Sequence, residues 1–319
     1  MTDLEKSILK TLAFFDIFYY PLTLTEIWKW LYMPNKKYSI SDVKKALETS
    51  QTLQQEIIRK EGFYSLVGRD SIYLRRKQNN NLAERKFRRA INIAKIYRFI
   101  PFVRMIAVCN SLAYSNASED SDIDLFIIAK RKTIWLARFF TVLFVSIFRM
   151  RPKDENKRDA FCLSFFVDED HLNIESTMIN SEDIYYPYWV SQLMPIYNPD
   201  GLYEKFLEAN QWYKNYLPNA YKNQFSKTVK ERKYSKVVAK IFYGILRPPF
   251  FKRAIYAFIR TLQLRIIDRN LKSLINIDTK IVVNEGMLKF YPNDNRELFY
   301  KKWKQRVHNL LKNNEKDKP

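Results

Sequence analysis

The stretch Ala107–Ile128, AVCNSLAYSNASEDSDIDLFII, decides how the rest of the chain is read. An apolar strand over Val103–Val108 runs into a tight turn at Asn110-Ser111. A short polar connection follows, and a second strand opens with Asp122-Ile123-Asp124. Side chains alternate along a strand, so Asp122 and Asp124 share one face while Ile123, Leu125 and Ile127 point to the other. Their Cα atoms should then lie roughly 6–7 Å apart. Carboxylates held that close repel each other, and a hard divalent cation such as Mg²⁺ relieves the repulsion. The plain alternative is a solvated acidic loop entering a buried strand.

A strand ending in a small residue and Ser, a spacer, then Asp-apolar-Asp-apolar resembles the nucleotidyltransferase superfamily of DNA polymerase beta. Ser111, Asp122, Asp124 and their apolar neighbours match that pattern, and Asn110 stands where the superfamily has glycine. The longer run SLAYSNASEDSDIDLFIIAKRKTIWLAR resembles a group of microbial nucleotidyltransferase-domain proteins. That likeness extends upstream through FDIFYYPLTLTEIW and downstream through LYEKFLEANQWYKNYLPN. The resemblance implies one or two Mg²⁺ ions held by Asp122 and Asp124, with an NTP as substrate. Its phosphates would be cradled by backbone N–H groups after Asn110 and by the Ser111 hydroxyl, and an NMP would pass to a hydroxyl acceptor. Glycine is usual at such a turn because φ is positive there, and Asn is the best-tolerated substitute.

The superfamily also projects a third carboxylate from a neighbouring strand. Here that strand, Ala160–Val167, carries no acid in its middle, and Ser164 occupies the position to compare. Asp168, Glu169 and Asp170 follow at its end. Two readings therefore stand: an active metal-dependent nucleotidyltransferase, or a degenerate one acting as a nucleic-acid-binding or regulatory protein.

Composition narrows the field. At 319 residues the chain can hold two or three cores, and 47% of its residues are hydrophobic, which excludes a disordered protein. Only five glycines occur and none sits in a phosphate loop, so a Walker-type NTPase and a dinucleotide fold are excluded, as is a nucleophile elbow. Two Cys and two His at these spacings predict no metal cluster of their own, and Cys109 and Cys162 read as buried free thiols. Residues 1–10 lack a signal-peptide pattern, and the most apolar run, Phe139–Phe148, is about half a bilayer span. A cytoplasmic protein without membrane contact is expected.

The charge is uneven. Residues 222–319 hold 24 Lys+Arg against 8 Asp+Glu, a net of +16 out of +21. A basic C-terminal third suits a polyanion such as RNA or DNA. A lysine-rich coding bias accounts for the same numbers.

The expected fold class is α+β, with an N-terminal winged helix (1–78), a polymerase-beta-like nucleotidyltransferase α/β core (79–180) and a basic helical domain (181–319). Helices over Leu4–Phe15, Thr23–Tyr32 and Ser39–Ser50, then a hairpin of Phe63–Val67 and Ser71–Arg75 around Gly68-Arg69-Asp70, make the winged helix. Its third helix would present Lys44 and Lys45, and its wing Arg69, Arg75, Arg76 and Lys77. Asn81–Phe99 reads as an amphipathic helix whose Arg85, Lys86, Arg88 and Arg89 form a solvated face. Thr133–Arg149 reads as an apolar helix packed on the sheet, with Lys130–Lys132 before it in position to approach a triphosphate. Beyond Ser181 helices are expected over Glu182–Met194, Gly201–Leu217, Lys227–Leu246, Phe250–Leu274 and Asp294–Leu311, with a hairpin over Thr279–Val283 and Met287–Phe290.

Overall fold

The computed structural model describes residues 1–152, 157–223, 228–231, 234, 237, 249–267 and 269–316, and the protein is of mixed α+β class. Three capping boxes start the N-terminal helices. Thr2 and Glu5 open α1 (Asp3–Asp16), Thr23 and Glu26 open α2 (Leu24–Lys29), and Ser39 and Asp42 open α3 (Ile40–Thr49). After α4 (Gln51–Glu56), strands β2 (Ile57–Lys60) and β3 (Phe63–Leu66) form a hairpin, and the short β1 (Leu22–Thr23) pairs with the other edge of β3.

The hairpin differs from the expected one. Its turn is Glu61-Gly62, with φ of 51° and 80°, the double positive φ that a tight two-residue connection needs. Ser71–Arg75 is no strand, because α5 (Ile72–Tyr97) begins there and runs through the expected boundary at residue 78. Ile72, Asn79, Ala83, Phe87, Ala90, Ala94 and Tyr97 bury one face at helical spacing, and this long periodicity outweighs the strand-like local run Ile72-Tyr73-Leu74. Lys86 is also buried on that face rather than solvated.

Strand β4 (Val103–Val108) pairs antiparallel with β5 (Ile123–Ala129), Val108 opposite Leu125. The parallel neighbour of β5 is β6 (Phe161–Asp168), and α7 (Ile134–Ile147) lies between them in the chain. The other strands of this sheet come from the region expected to be a helical domain. Strand β7 (Met194–Tyr197) pairs with β4, β9 (Met287–Phe290) with β6, and β8 (Ile281–Val283) with β9, in the order β7-β4-β5-β6-β9-β8. The sheet thus does not end at residue 180. Pro195 explains one part of the difference: it cannot prolong the helix expected over Glu182–Met194, whose Pro187 falls in the first turn of the observed helix, but it is accommodated on an edge strand. The helix stops at Gln192 as α8 (Tyr185–Gln192), and β7 follows.

The expected Gly201–Leu217 helix is α9 (Leu202–Ala209) followed by a 3₁₀ turn at Gln211–Asn215. Further on come α10 (Pro249–Ile266), α11 (Arg269–Lys272) and α12 (Arg296–Lys316). The expected Lys227–Leu246 helix lies largely outside the described residues. One sheet face (Val108, Ile123, Leu125, Ile127, Phe166) packs with residues of α5 and α7 and with Ile259 of α10. The other (Ala107, Phe126, Ile128, Phe165, Val167) packs with α8, α9 and the N-terminal helices in one continuous cluster.

That cluster ties residues 1–66 directly to the sheet. Phe14 stacks on Tyr188 with ring centroids 4.1 Å apart, Tyr188 Oη donates to the Trp30 carbonyl at 3.0 Å, and Trp303 Nε1 donates to the Lys10 carbonyl at 3.0 Å. Among the described residues no helix is long and apolar enough to cross a membrane.

Candidate active site

The end of β4 and the starts of β5 and β6 meet at one end of the sheet. Asp124 lies on β5, Asp122 immediately precedes it, and Cys162 lies opposite Asp124 on β6. One ligand atom from each of the three, all half-buried, lies within 4.8 Å of the others, a group that could hold a metal ion. Sequence reasoning brought Asp122 and Asp124 to one face but missed Cys162. The register shifts between Asp124/Cys162 and Phe126/Phe165, so β6 carries an extra residue at this point. Cys162 rather than Ser164 therefore faces Asp124, and Ser164 Oγ sits 2.9 Å from the thiol sulfur.

Burial raises both carboxyl groups above their ordinary range. Asp124 is pushed up to about 7, first by burial and then by the charge of Asp122, while hydrogen bonds from Asn110 and Cys162 pull the other way. Burial also pushes the Cys109 and Cys162 thiols well up, so both stay protonated at neutral pH.

Asn110 has φ +55°, the left-handed conformation for which the motif uses glycine. Its side chain is drawn to the wall of the site. Trp189 Nε1 donates to Asn110 Oδ1 at 2.9 Å, Tyr185 Oη approaches the same oxygen at 3.4 Å, and the amide bonds to Asp124. The short helix α6 (Asn110–Ala113) leaves from this turn, and Ser111 borders a cavity of about 310 Å³.

Aromatic rings of Tyr185, Tyr186, Trp189, Tyr291 and Phe299 wall that cavity, with Lys289 and Arg296 among them. Neither cation was visible in the sequence as a site residue. Lys289 Nζ donates to the Thr279 carbonyl at 2.6 Å and lies 5.6 Å from the Tyr186 ring centre. Burial, aided by the charge of Arg296, pushes its ammonium down to about 7. Arg296 is fastened to Asp294 at 2.8 Å and to Asp183 at 2.7 Å.

Several expected participants lie elsewhere. Lys130–Lys132 and Asp168–Asp170 sit at the far ends of β5 and β6, where Arg131 pairs with Asp170 at 2.7 Å and Asp168 with His171 at 2.6 Å. Neither group can reach Asp124, because the strands carry them away from it. The expected wing charges are also committed: Arg69 pairs with Asp16, Arg76 with Glu26 and Lys77 with Glu61, and residues 75–77 belong to α5. Lys44 and Lys45 are exposed on α3.

The loop that delivers Asp122 is held from behind by Lys86. Its ammonium donates to the Glu119 carbonyl at 3.1 Å, the Ser121 carbonyl at 2.6 Å and Asp159 Oδ1 at 2.9 Å. Lys86→Met is expected to cost about 3 kcal/mol, because two carbonyls and a carboxylate lose a buried charged donor. Urea unfolding would measure it. Any nucleotide binding should weaken more than global stability explains, since the loop carrying Asp122 loosens.

Compared with family models, curated proteins and solved structures, the chain finds no match in any of the three.

Proposed function

We propose that the protein is a metal-dependent nucleotidyltransferase moving an NMP from an NTP to a hydroxyl acceptor. On this reading the sheet is a polymerase-beta-like core, residues 1–66 are a winged-helix unit, and the protein works in the cytoplasm. The observation that carries it is the convergence of Asp122 and Asp124 beside a positive-φ turn at Asn110-Ser111.

The donor set fits the implied ion. Mg²⁺ is commonly held by one or two carboxylates plus substrate phosphates, and the repulsion that raises Asp124 falls when a cation lies between the acids. Asp122 and Asp124 would hold it, with Cys162 remaining a thiol beside them. When bound, Mg²⁺ supplies charge neutralisation to the phosphates and the leaving pyrophosphate. The chain's own residues do the rest. Backbone N–H groups after Asn110 and the Ser111 hydroxyl bind phosphate oxygens, and Asn110 orients Asp124.

The second reading, a degenerate domain that binds nucleic acid through the basic C-terminal third, is favoured by one observation. Cys162 faces Asp124 where the superfamily has an acid, and its protonated thiol cannot take the acceptor's proton. Titration calorimetry with the four Mg-NTPs, followed by pyrophosphate-release assays, tests the first reading. Absence of nucleotide binding together with salt-sensitive RNA or DNA binding would replace it with the second.

A further inference from the structure

A second cavity, of about 250 Å³, lies where the N-terminal helices meet the sheet, between α2, the end of α6 and the α8–β7 corner. Three residues that border it carry a buried donor, and among the described residues none of the three donors has an anionic partner. The first is Lys29, a residue 7% exposed. Its ammonium bonds Asn223 Oδ1 at 2.6 Å and lies 4.3 Å from the Tyr221 ring centre, and among the described residues it makes no ion pair. The neighbouring acid, Glu26, is engaged by both terminal nitrogens of Arg76, at 2.8 and 2.7 Å. The second and third are Gln192 Nε2 and Trp30 Nε1, both buried and, among the described residues, both without a hydrogen-bond partner.

One orphan donor in a protein of this size would be unremarkable. Buried polar groups are nearly always satisfied, and a buried ammonium normally has a counter-ion. Two orphan N–H groups and an ammonium without a counter-ion, on residues that border the same cavity, could be met by one acceptor, and the ammonium favours an anionic one. We propose that this cavity binds a small oxyanion, a phosphate or carboxylate group, through Lys29, Gln192 and Trp30. The site is independent of the Asp122–Asp124 reading. It also has a structural consequence. Lys29 belongs to α2 and Gln192 to α8, so the bound oxyanion fastens the N-terminal helices to the sheet. Tyr114 borders this cavity and the larger one, at opposite ends of α6.

The test uses the full-length protein and inorganic phosphate, with sodium chloride at matched ionic strength as the reference and sodium acetate as the carboxylate arm. Phosphate, acetate or both should raise the thermal midpoint saturably, because a ligand that binds only the folded state stabilises it. Which of them acts identifies the group. Lys29→Met should abolish the rise while leaving the anion-free protein close to wild type in stability, since it removes a buried charge that has no counter-ion at the cost of one hydrogen bond to Asn223 Oδ1. Gln192→Leu, which keeps the ammonium, should weaken the apparent affinity about tenfold. No saturable rise with either anion would overturn the proposal. So would a rise that persists in both variants, which would place the anion at the Asn110-Ser111 turn or elsewhere.

Discussion

Asp124→Asn is expected to abolish metal-dependent nucleotide binding and, without metal, to make the protein more stable than wild type above neutral pH. The two effects share one cause. Asp124 titrates near 7 in the folded protein because burial and the charge of Asp122 both oppose its ionisation. In the unfolded chain an aspartate titrates near 4. Below about pH 4 both states are protonated and the group is neutral toward folding. Between about 4 and 7 the unfolded chain ionises first, so stability falls as pH rises, and above 7 the full cost is present. Asparagine keeps the shape and cannot ionise, so its advantage should grow across that window and then level off. A cation must displace the same proton, so wild-type metal affinity should rise by up to about tenfold per pH unit below 7 and flatten above it. Loss of one of two carboxylates around the ion should cost turnover about a thousandfold. Urea unfolding in EDTA at acidic and alkaline pH, with calorimetry of Mg²⁺ and Mg-NTP binding, measures each part. An Asn variant that binds Mg-NTP like wild type would remove Asp124 from the site.

The part of this site that is local in sequence was legible. Val103–Val108 is an apolar run between Pro101 and the Asn110-Ser111 turn, and alternation alone places Asp122 and Asp124 together. Asn110 announces a positive φ because few other residues tolerate it. The rest depends on pairings that leave no local trace. Cys162 faces Asp124 only because β6 carries an extra residue between Cys162 and Phe165, and a bulge does not disturb the apolar pattern around it. Lys86 lies in a basic run that reads as solvated, while its carboxylate partner Asp159 is 73 residues away. Lys289 reaches the cavity because β9 pairs with β6, and a three- or four-residue strand so far along the chain is indistinguishable from a loose hairpin until its partner is known. The cost of removing such a long-range feature is a test of whether it is real.

Arg296 offers that test. Its guanidinium donates from Nε to Asp294 at 2.8 Å, and from Nη1 to Asp183 at 2.7 Å and to the Thr177 carbonyl at 3.0 Å. Nη2 reaches Thr279 Oγ1 at 3.2 Å, and all three charged side chains are at most 6% exposed. It joins the start of α12 to the loop before α8 and to the lead into β8, beside the larger cavity. Arg296→Ala should therefore cost about 3–5 kcal/mol at neutral pH, because two buried carboxylates lose their partner. The pH dependence gives the sign. In wild type, Arg296 holds Asp294 below its usual range, so that pairing stabilises above about pH 4 and is lost as pH falls further. In the variant, burial of Asp294 and Asp183 is no longer opposed by the Arg296 charge and both rise, so its deficit should shrink as the pH is lowered toward 4. Lys289 moderates the loss. The charge of Arg296 helps to depress its ammonium, so the lysine should regain its proton and turn to Asp294, 4.0 Å away. Lys289→Met combined with Arg296→Ala should accordingly cost more than the sum of the single changes. Arg296→Lys keeps a charge but not the planar fork, and should recover only part of the loss. Urea midpoints of wild type and the four variants at pH near 4 and near 7 measure all of this. A neutral-pH cost under about 1 kcal/mol, or a deficit that does not shrink in acid, would mean that the Arg296 cluster does not hold α12 to the sheet.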